Sequence, residues 1–144
     1  MFTRIAVAYD ESTEAKRALC AAIQLAKTLA AELLTITVIE ELPAYTSYAA
    51  GADPSIMRTL HQDRVQFYEE LRATAMQSAL QENINLSSHW IEGNEVDAIA
   101  NFVRNHKIDL LVVGLHSRTS RLSRIWSTVY SLAQDVPCCV LGVH

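Results

Sequence analysis

The stretch DLLVVGLHSRTSRLSRIWST, residues 109–128, governs the interpretation of the whole sequence. It opens with four apolar residues, Leu110–Val113, a pattern typical of a strand covered on both faces in a parallel sheet. Gly114 ends this strand. No Asp or Glu occurs from Leu110 to Gln134, while the window carries the donors His116, Ser117, Arg118, Thr119, Ser120, Arg121, Ser123, Arg124, Ser127 and Thr128. In a chain of formal charge -4, this local excess of positive charge predicts a site for an anion, with phosphate favoured.

Outward from this stretch, strand and helix patterns alternate along the chain. The predicted strands are Phe2 to Tyr9, Leu33 to Ile39, Leu86 to Glu92, Asp109 to Gly114 and Cys138 to Val143. The predicted helices are Thr13 to Leu29, Ser55 to Gln81, Glu95 to His106, and Ile125 or Trp126 to Gln134. This alternation favours an α/β fold, a single open parallel five-stranded sheet of order 3-2-1-4-5 with helices on both faces.

Ligands of such sheets bind beyond the carboxyl ends of the strands, at the switch point where the connections reverse direction. With the predicted order, this crevice lies between strands 1 and 4. Asp10 and the segment from Gly114 to Ser120 are therefore expected at its mouth. Asp10 has a structural alternative, which is to cap the first helix together with Ser12.

Two further expectations concern the middle of the chain. Glu40 to Pro54 contains Pro43, Gly51 and Pro54 and is predicted to be the longest irregular segment. In the helix that follows it, the candidates for burial are Leu60, Phe67, Leu71, Met76 and Leu80.

Composition excludes several classes of protein. With 144 residues, 50% of them hydrophobic and 19% charged, the chain suits one globular domain spanning 1–144. The net acidity argues against a nucleic-acid binder, which needs a broad basic surface. The start, MFTRIAVAYDES, has neither the basic region of a signal peptide nor the length of a membrane span. Three cysteines without a CxxC pair fit a reduced compartment, so a cytoplasmic location is expected.

The last predicted strand carries an expectation about assembly. It lies at the edge of the sheet, yet its sequence CCVLGV, Cys138 to Val143, contains no charge that would protect that edge from pairing. We therefore expect a symmetric homodimer through this strand.

Over its full length the sequence resembles the universal stress protein family. The signs are the first strand ending in Asp10 and Ser12, the turn at Gly93, the VVG of strand 4 and the closing VPCCVLGV. The family's nucleotide motif is a glycine, two residues, a second glycine, nine residues, then a third glycine followed by Ser or Thr. Here the spacing is preserved, but Ser117 and Ser127 replace the second and third glycines.

The resemblance implies a Rossmann-like fold similar to the adenine nucleotide alpha hydrolases and a set of ligand-binding residues. The positions that it assigns to nucleotide binding are Asp10, Val38, Gly114, Ser117, Ser127 and Thr128, and His116 and Arg118 also match the family around this loop. Arg121 joins this set as a cation of the loop. Glu11 departs from the small residue that often follows the aspartate, and Cys139 from a frequent proline.

Three functions of different kinds remain open. The first is a non-enzymatic stress regulator that binds ATP or AMP, with Mg²⁺ if the ligand is ATP, and acts on an unidentified regulatory protein; a cyclic dinucleotide is the second ligand candidate. The second is a nucleotide-free interaction module, which the glycine replacements favour. The third is a slow ATPase or adenylate-transfer enzyme, for which only Asp10 stands near the expected phosphates. The five histidines lie on different elements, so no metal site is expected. The net acidity and the start of the sequence argue in the same way against a nucleic-acid partner and against a membrane.

Overall fold

The fold is a five-stranded parallel sheet of order β3-β2-β1-β4-β5, as predicted. The computed structural model describes the backbone of residues 1–116 and 125–144. Its strands are β1 (Arg4–Ala8), β2 (Glu32–Ile39), β3 (Leu86–Glu92), β4 (Leu110–Gly114) and β5 (Cys139–Val143). Its helices are α1 (Thr13–Leu29), α2 (Ala44–Ala52), α3 (Pro54–Gln81), α4 (Glu95–Asn105) and α5 (Ile125–Asp135).

Side chains alternate along each central strand, so the sheet buries a core on each face. Ile5 and Val7 of β1 pack with α1 and α3, whereas Ala6 between them packs with α4 and α5. In β4, Leu110 and Val112 join the first core, and the remaining two apolar residues join the second. The continuous apolar runs of the sequence arise because both faces of β1 and β4 are covered by helices.

The segment between β2 and α3 contradicts the expectation of an irregular stretch from Glu40 to Pro54. It contains the helix α2, Ala44–Ala52. The prolines that suggested a loop stand at helix ends instead of inside them: Pro43 precedes α2, and Pro54 begins α3, where a missing N–H costs nothing. Between them, several alanines support helix formation in spite of Gly51.

Burial along α3 also differs from the sequence prediction. Of the five candidates only Leu71 is buried, while Phe67 and Leu80 remain 42% and 64% exposed. The buried residues of α3 are Tyr68, Leu71, Ala75 and Ala79, all in its second half. A helix of 28 residues is about 42 Å long. None of the buried residues of α3 lies in its first half. Within the described residues, no helix is long and apolar enough to cross a membrane.

The amino ends of β1 and β4 are joined through the carboxylate of Asp109. One carboxylate oxygen accepts hydrogen bonds from the backbone N–H and the hydroxyl of Thr3, both at 2.8 Å, and the other accepts from the N–H of Arg4 at 3.1 Å. Partial burial acts to raise the pKa of Asp109, but the hydrogen bonds from Thr3 and Arg4 outweigh it and leave the pKa below its ordinary value. The two strands that flank the expected crevice are therefore linked at their amino ends, away from the crevice.

Replacing Asp109 by Asn tests this link. Because the folded-state pKa is lowered, the carboxylate stabilises the fold above the ordinary Asp range and loses this effect as the pH falls through its folded-state pKa. We expect Asp109→Asn to lower the free energy of unfolding by about 1 kcal/mol at neutral pH. The difference should shrink on acidification, as measured by urea denaturation across a pH series.

The matched control is Asp63→Asn, an exposed aspartate of α3 whose side chain makes no hydrogen bond to the described residues. Equal stability of both variants and the wild type at neutral pH would show that the Asp109 link contributes nothing.

Candidate functional site

A cleft of about 230 Å³ opens at the carboxyl ends of β1 and β4, where the strand order reverses. Its apolar lining comes from the strands and from the facing sides of α1, α4 and α5, namely Ala8, Ala15, Ile36, Val38, Ile99, Val113, Val129 and Leu132. Its polar lining consists of Tyr9, Asp10, Ser12, Glu95, His116 and Thr128, together with Gly114. An apolar floor with a few polar groups at the rim is typical of a small-molecule site.

Asp10 and Ser12 build the turn from β1 into α1. Asp10 accepts a hydrogen bond from the N–H of Ser12 through Oδ1 at 2.8 Å, and the Ser12 hydroxyl accepts from the N–H of Ala15 at 3.1 Å. Ser12 thus caps the start of α1, and Asp10 holds the backbone of Ser12 from outside the helix, while both side chains line the cleft. The helix cap is therefore confirmed for Ser12, whereas Asp10 supports that cap and keeps its carboxylate at the cleft wall.

Gly114 allows α1 to pass directly against the end of β4. A Cβ on this residue would lie 2.5 Å from the carbonyl carbon of Glu14, 2.6 Å from its oxygen and 2.8 Å from the nitrogen of Ala15. These are backbone atoms of the first turn of α1 and cannot rotate away. Glycine is required here by the helix-to-strand contact, whatever ligand the loop holds.

A pair of side chains bridges the same two elements at the rim. Nδ1 of His116, just past β4, lies 3.3 Å from Oε2 of Glu14 in α1. The pair is ionic only when the imidazole is protonated. The side chain of His116 is 44% exposed, so it is accessible from the cleft mouth.

Glu95, the first residue of α4, brings an unexpected carboxyl to the cleft. It lines both the main cleft and an adjoining cavity of about 440 Å³, whose lining includes Glu40, Glu41 and Thr128. Desolvation by the surrounding cleft raises the pKa of Glu95, and the negative charges of Asp10 and Glu40 raise it further. The described rim is consequently acidic.

Tyr9 contributes a buried hydroxyl beside the floor. Its backbone is held by Thr37, whose hydroxyl donates to the Tyr9 carbonyl at 2.8 Å, and by an N–H bond to the carbonyl of Ile36 at 2.9 Å. The residue is 3% exposed, and its hydroxyl has no partner among the described residues. Burial, followed by the charges of Asp10 and Cys20, raises the pKa of Tyr9, so it stays a neutral donor.

Comparison with known proteins agrees with this architecture. The model of the universal stress protein family matches residues 1–144. The chain belongs to the universal stress protein family. A relative from Thermus aquaticus, described as a universal stress protein in the QAH/OAS sulfhydrylase 3' region, is 30% identical over 145 residues, with 100% of both chains covered.

Two solved structures of the family share the fold. A universal stress protein in complex with cAMP is 24% identical, with a TM-score of 0.68 over 99% of this chain and 97% of its own. A universal stress protein from Archaeoglobus fulgidus in complex with dAMP is 12% identical, with a TM-score of 0.70 over 100% of this chain and 98% of its own. At these identities the likeness establishes the fold alone.

Five of the residues predicted for the site line one cleft in this universal stress protein: Asp10, Val38, Gly114, His116 and Thr128. Ser117, Arg118 and Arg121 lie outside the described residues, as does the side chain of Ser127. Where the structure describes the chain, no group of three or more His, Cys, Asp or Glu residues is arranged as a metal site.

Sequence reasoning missed Glu95, Glu14 and Tyr9. The sequence contained a signal for Glu95, because the Gly93-Asn94 turn places the start of α4 at the same sheet edge as Asp10. Nothing in the local sequence indicated the roles of Glu14 and Tyr9, which depend on how closely α1 packs against β4 and β1.

Gly114→Ala tests the helix-to-strand contact. Because the new methyl group would overlap backbone atoms of α1, we expect a loss of about 1–3 kcal/mol in the free energy of unfolding, measured by chemical denaturation. The control is Gly51→Ala in α2, where no atom lies within 4 Å of the added carbon. This change should be neutral or stabilise by up to about 1 kcal/mol. A Gly114→Ala protein as stable as the wild type would contradict the contact.

Proposed function

We propose that this universal stress protein is a non-enzymatic regulator that binds an adenine nucleotide in the cleft between β1 and β4. The observation that carries the proposal is the convergence of Asp10, Val38, Gly114 and Thr128, four positions assigned by family resemblance, on one cleft with an apolar floor. The complexes of the two solved relatives with cAMP and dAMP add support from the same fold.

The geometry suggests how the parts of a nucleotide are divided among the walls. A flat base fits against the apolar floor at Ile36 and Val38, where it excludes water. Ribose hydroxyls are donors and suit the carboxylate of Asp10. The phosphate lies toward Gly114 and Thr128, which stand before and after the arginine-rich segment 117–124 in the sequence. If the ligand is ATP, Mg²⁺ offsets part of its charge.

We also propose that the protein acts in the cytoplasm as a homodimer that meets a regulatory protein. Support for the dimer comes from β5, an edge strand paired on one side with β4. Its exposed side chains include Cys139 and Leu141, and it carries no charge that would oppose pairing with a second copy.

Thermal-shift titration with cAMP, AMP, ATP and a cyclic dinucleotide, with and without Mg²⁺, tests nucleotide binding. A ligand at about 100 times its Kd stabilises a domain by roughly 2.7 kcal/mol, which raises the melting temperature by several degrees. We expect this shift with an adenine nucleotide. Val38→Trp should abolish it by filling the floor, whereas Val65→Trp, on α3 and outside the cleft lining, should preserve it.

Replacement of both Arg118 and Arg121 by Ala should weaken the binding of phosphate-bearing ligands. If no nucleotide shifts the wild-type protein and none is carried through purification, the family member is a nucleotide-free interaction module instead. That result would agree with the loss of the glycines at Ser117 and Ser127.

The dimer is tested at the edge strand. Leu141→Lys places a charge on β5 and should convert the protein to a monomer at micromolar concentration, as measured by light scattering. Leu80→Lys, at an exposed leucine near the end of α3, should leave the mass unchanged. A monomeric wild type would refute the proposed dimer without affecting the proposed cleft.

A further inference from the structure

Three aromatic rings meet where the edge strand β3 packs against the carboxyl end of α4. They belong to His89 of β3, to Phe102 of α4 and to His106, the residue that caps α4. Phe102 stacks on His106 with 3.9 Å between the ring centroids, and the ring of His89 meets these two edge-on at 5.1 and 5.0 Å. We call these three residues the ring cluster. Among the described strands β3 pairs only with β2, so the ring cluster gives this edge of the sheet a second support.

The two imidazoles of the ring cluster differ in how they are held. Nδ1 of His106 lies 3.1 Å from the backbone carbonyl oxygen of Phe102. Because a carbonyl oxygen only accepts, this nitrogen donates the hydrogen bond. The ring of His89 is partly buried, and no described residue makes a hydrogen bond or ion pair to it. Its contacts within the ring cluster are therefore those of a neutral aromatic ring.

No carboxylate of the described residues lies within ion-pair distance of either imidazole. The charged side chains of the neighbouring elements have fixed partners. Arg4 of β1 pairs with Glu32 of β2 at 2.6 Å and also donates to the backbone carbonyl of His106. Arg104 of α4 donates to the backbone carbonyl of Asp135 at 2.9 Å. A proton on His89 would thus place a positive charge beside a second imidazole, with no acidic group to balance it.

The remaining charged groups near β3 lie away from the ring cluster. Helix α3 packs against the other face of β3, where Arg64 forms an ion pair with Glu92 at 2.7 Å. Lys107, the residue after the cap of α4, is exposed. Burial lowers the pKa of His89, and the positive charge of His106 lowers it further.

We propose that the ring cluster is a pH-sensitive contact, which holds the edge strand β3 against α4 at neutral pH and releases this edge on mild acidification. The neutral rings of His89 and His106 stack and meet edge-on with Phe102, whereas two imidazolium rings 5.0 Å apart repel each other. Release lets the ring of His89 reach water, where its charge is solvated. This contact does not depend on nucleotide binding in the cleft.

The direction of the pH effect follows from the lowered pKa of His89. A neutral His89 is favoured in the folded state, so its contribution to stability is present above the ordinary histidine pKa of 6.5. That contribution is lost as the pH falls through the folded-state pKa, because the released ring binds the proton more readily than the packed one.

Amide hydrogen exchange at about pH 7.5 and about pH 5.5, corrected for the intrinsic effect of pH on exchange, tests the release. In the wild type, protection of the β3 amides should fall by about threefold or more on acidification, and protection of the β1 and β4 amides should fall less. His89→Gln keeps a polar side chain that takes up no proton, so its β3 protection should change by less than about twofold. The matched control is His61→Gln, at an exposed histidine of α3, which should behave as the wild type.

A titration by NMR provides a test on the wild-type protein, which holds even if His89→Gln does not fold. The imidazole of His89 should take up its proton at a lower pH than that of His61, and His106→Gln should bring the two titrations closer together. An equal loss of protection in β3 and β1 would overturn the proposal. So would a pH-dependent loss in β3 that persists in His89→Gln, or titration of His89 and His61 at the same pH.

Discussion

The cleft depends on how closely the first turn of α1 approaches the end of β4. At Gly114 the backbone of Glu14 and Ala15 occupies the space in which any other residue would carry its Cβ. This contact sets the position of the Ser12 cap, and through it the position of Asp10 at the cleft wall. It also brings His116 within 3.3 Å of Glu14. Packing alone therefore requires a glycine at position 114, although this glycine also matches the first position of the family's nucleotide motif.

That packing requirement changes the interpretation of the two serines in the loop. Gly114 is the one motif glycine for which a backbone contact within the chain gives a sufficient reason. Its retention is therefore compatible with either a nucleotide-binding or a nucleotide-free protein. The described rim is acidic and repels an anion. The negative charges of Asp10, Glu95 and Glu40 must be offset when a nucleotide enters, either by a cation that the nucleotide brings or by the arginine-rich segment.

Most of the fold could be predicted because hydrophobic pattern and strand order are tightly linked in an α/β sheet. The apolar runs at Leu110–Val113 and in β2 indicated strands covered on both faces, and alternation with helices then left few topologies. The prediction failed at α2, where prolines at helix ends were interpreted as loop residues. It was wrong again in α3, where alanines are buried and Phe67, a larger residue expected to be buried, is exposed. In the site, residues next to strand ends were found, whereas Glu95 and Tyr9 depend on contacts between distant parts of the chain.

The long helix α3 is linked to the edge of the cleft by a single side chain. Its first half is not buried against the sheet, but Arg64 within it donates to the backbone carbonyl of Glu40 and forms an ion pair with Glu92 at 2.7 Å. Glu40 is also part of the cavity beside Glu95. One guanidinium therefore links the end of β2, the end of β3 and the first half of α3. The exposed aromatic and aliphatic side chains nearby, Tyr45 and Tyr48 on the adjoining α2 and Ile56 and Met57 on α3, thus lie on a surface that this guanidinium fastens to the sheet edge beside the cleft.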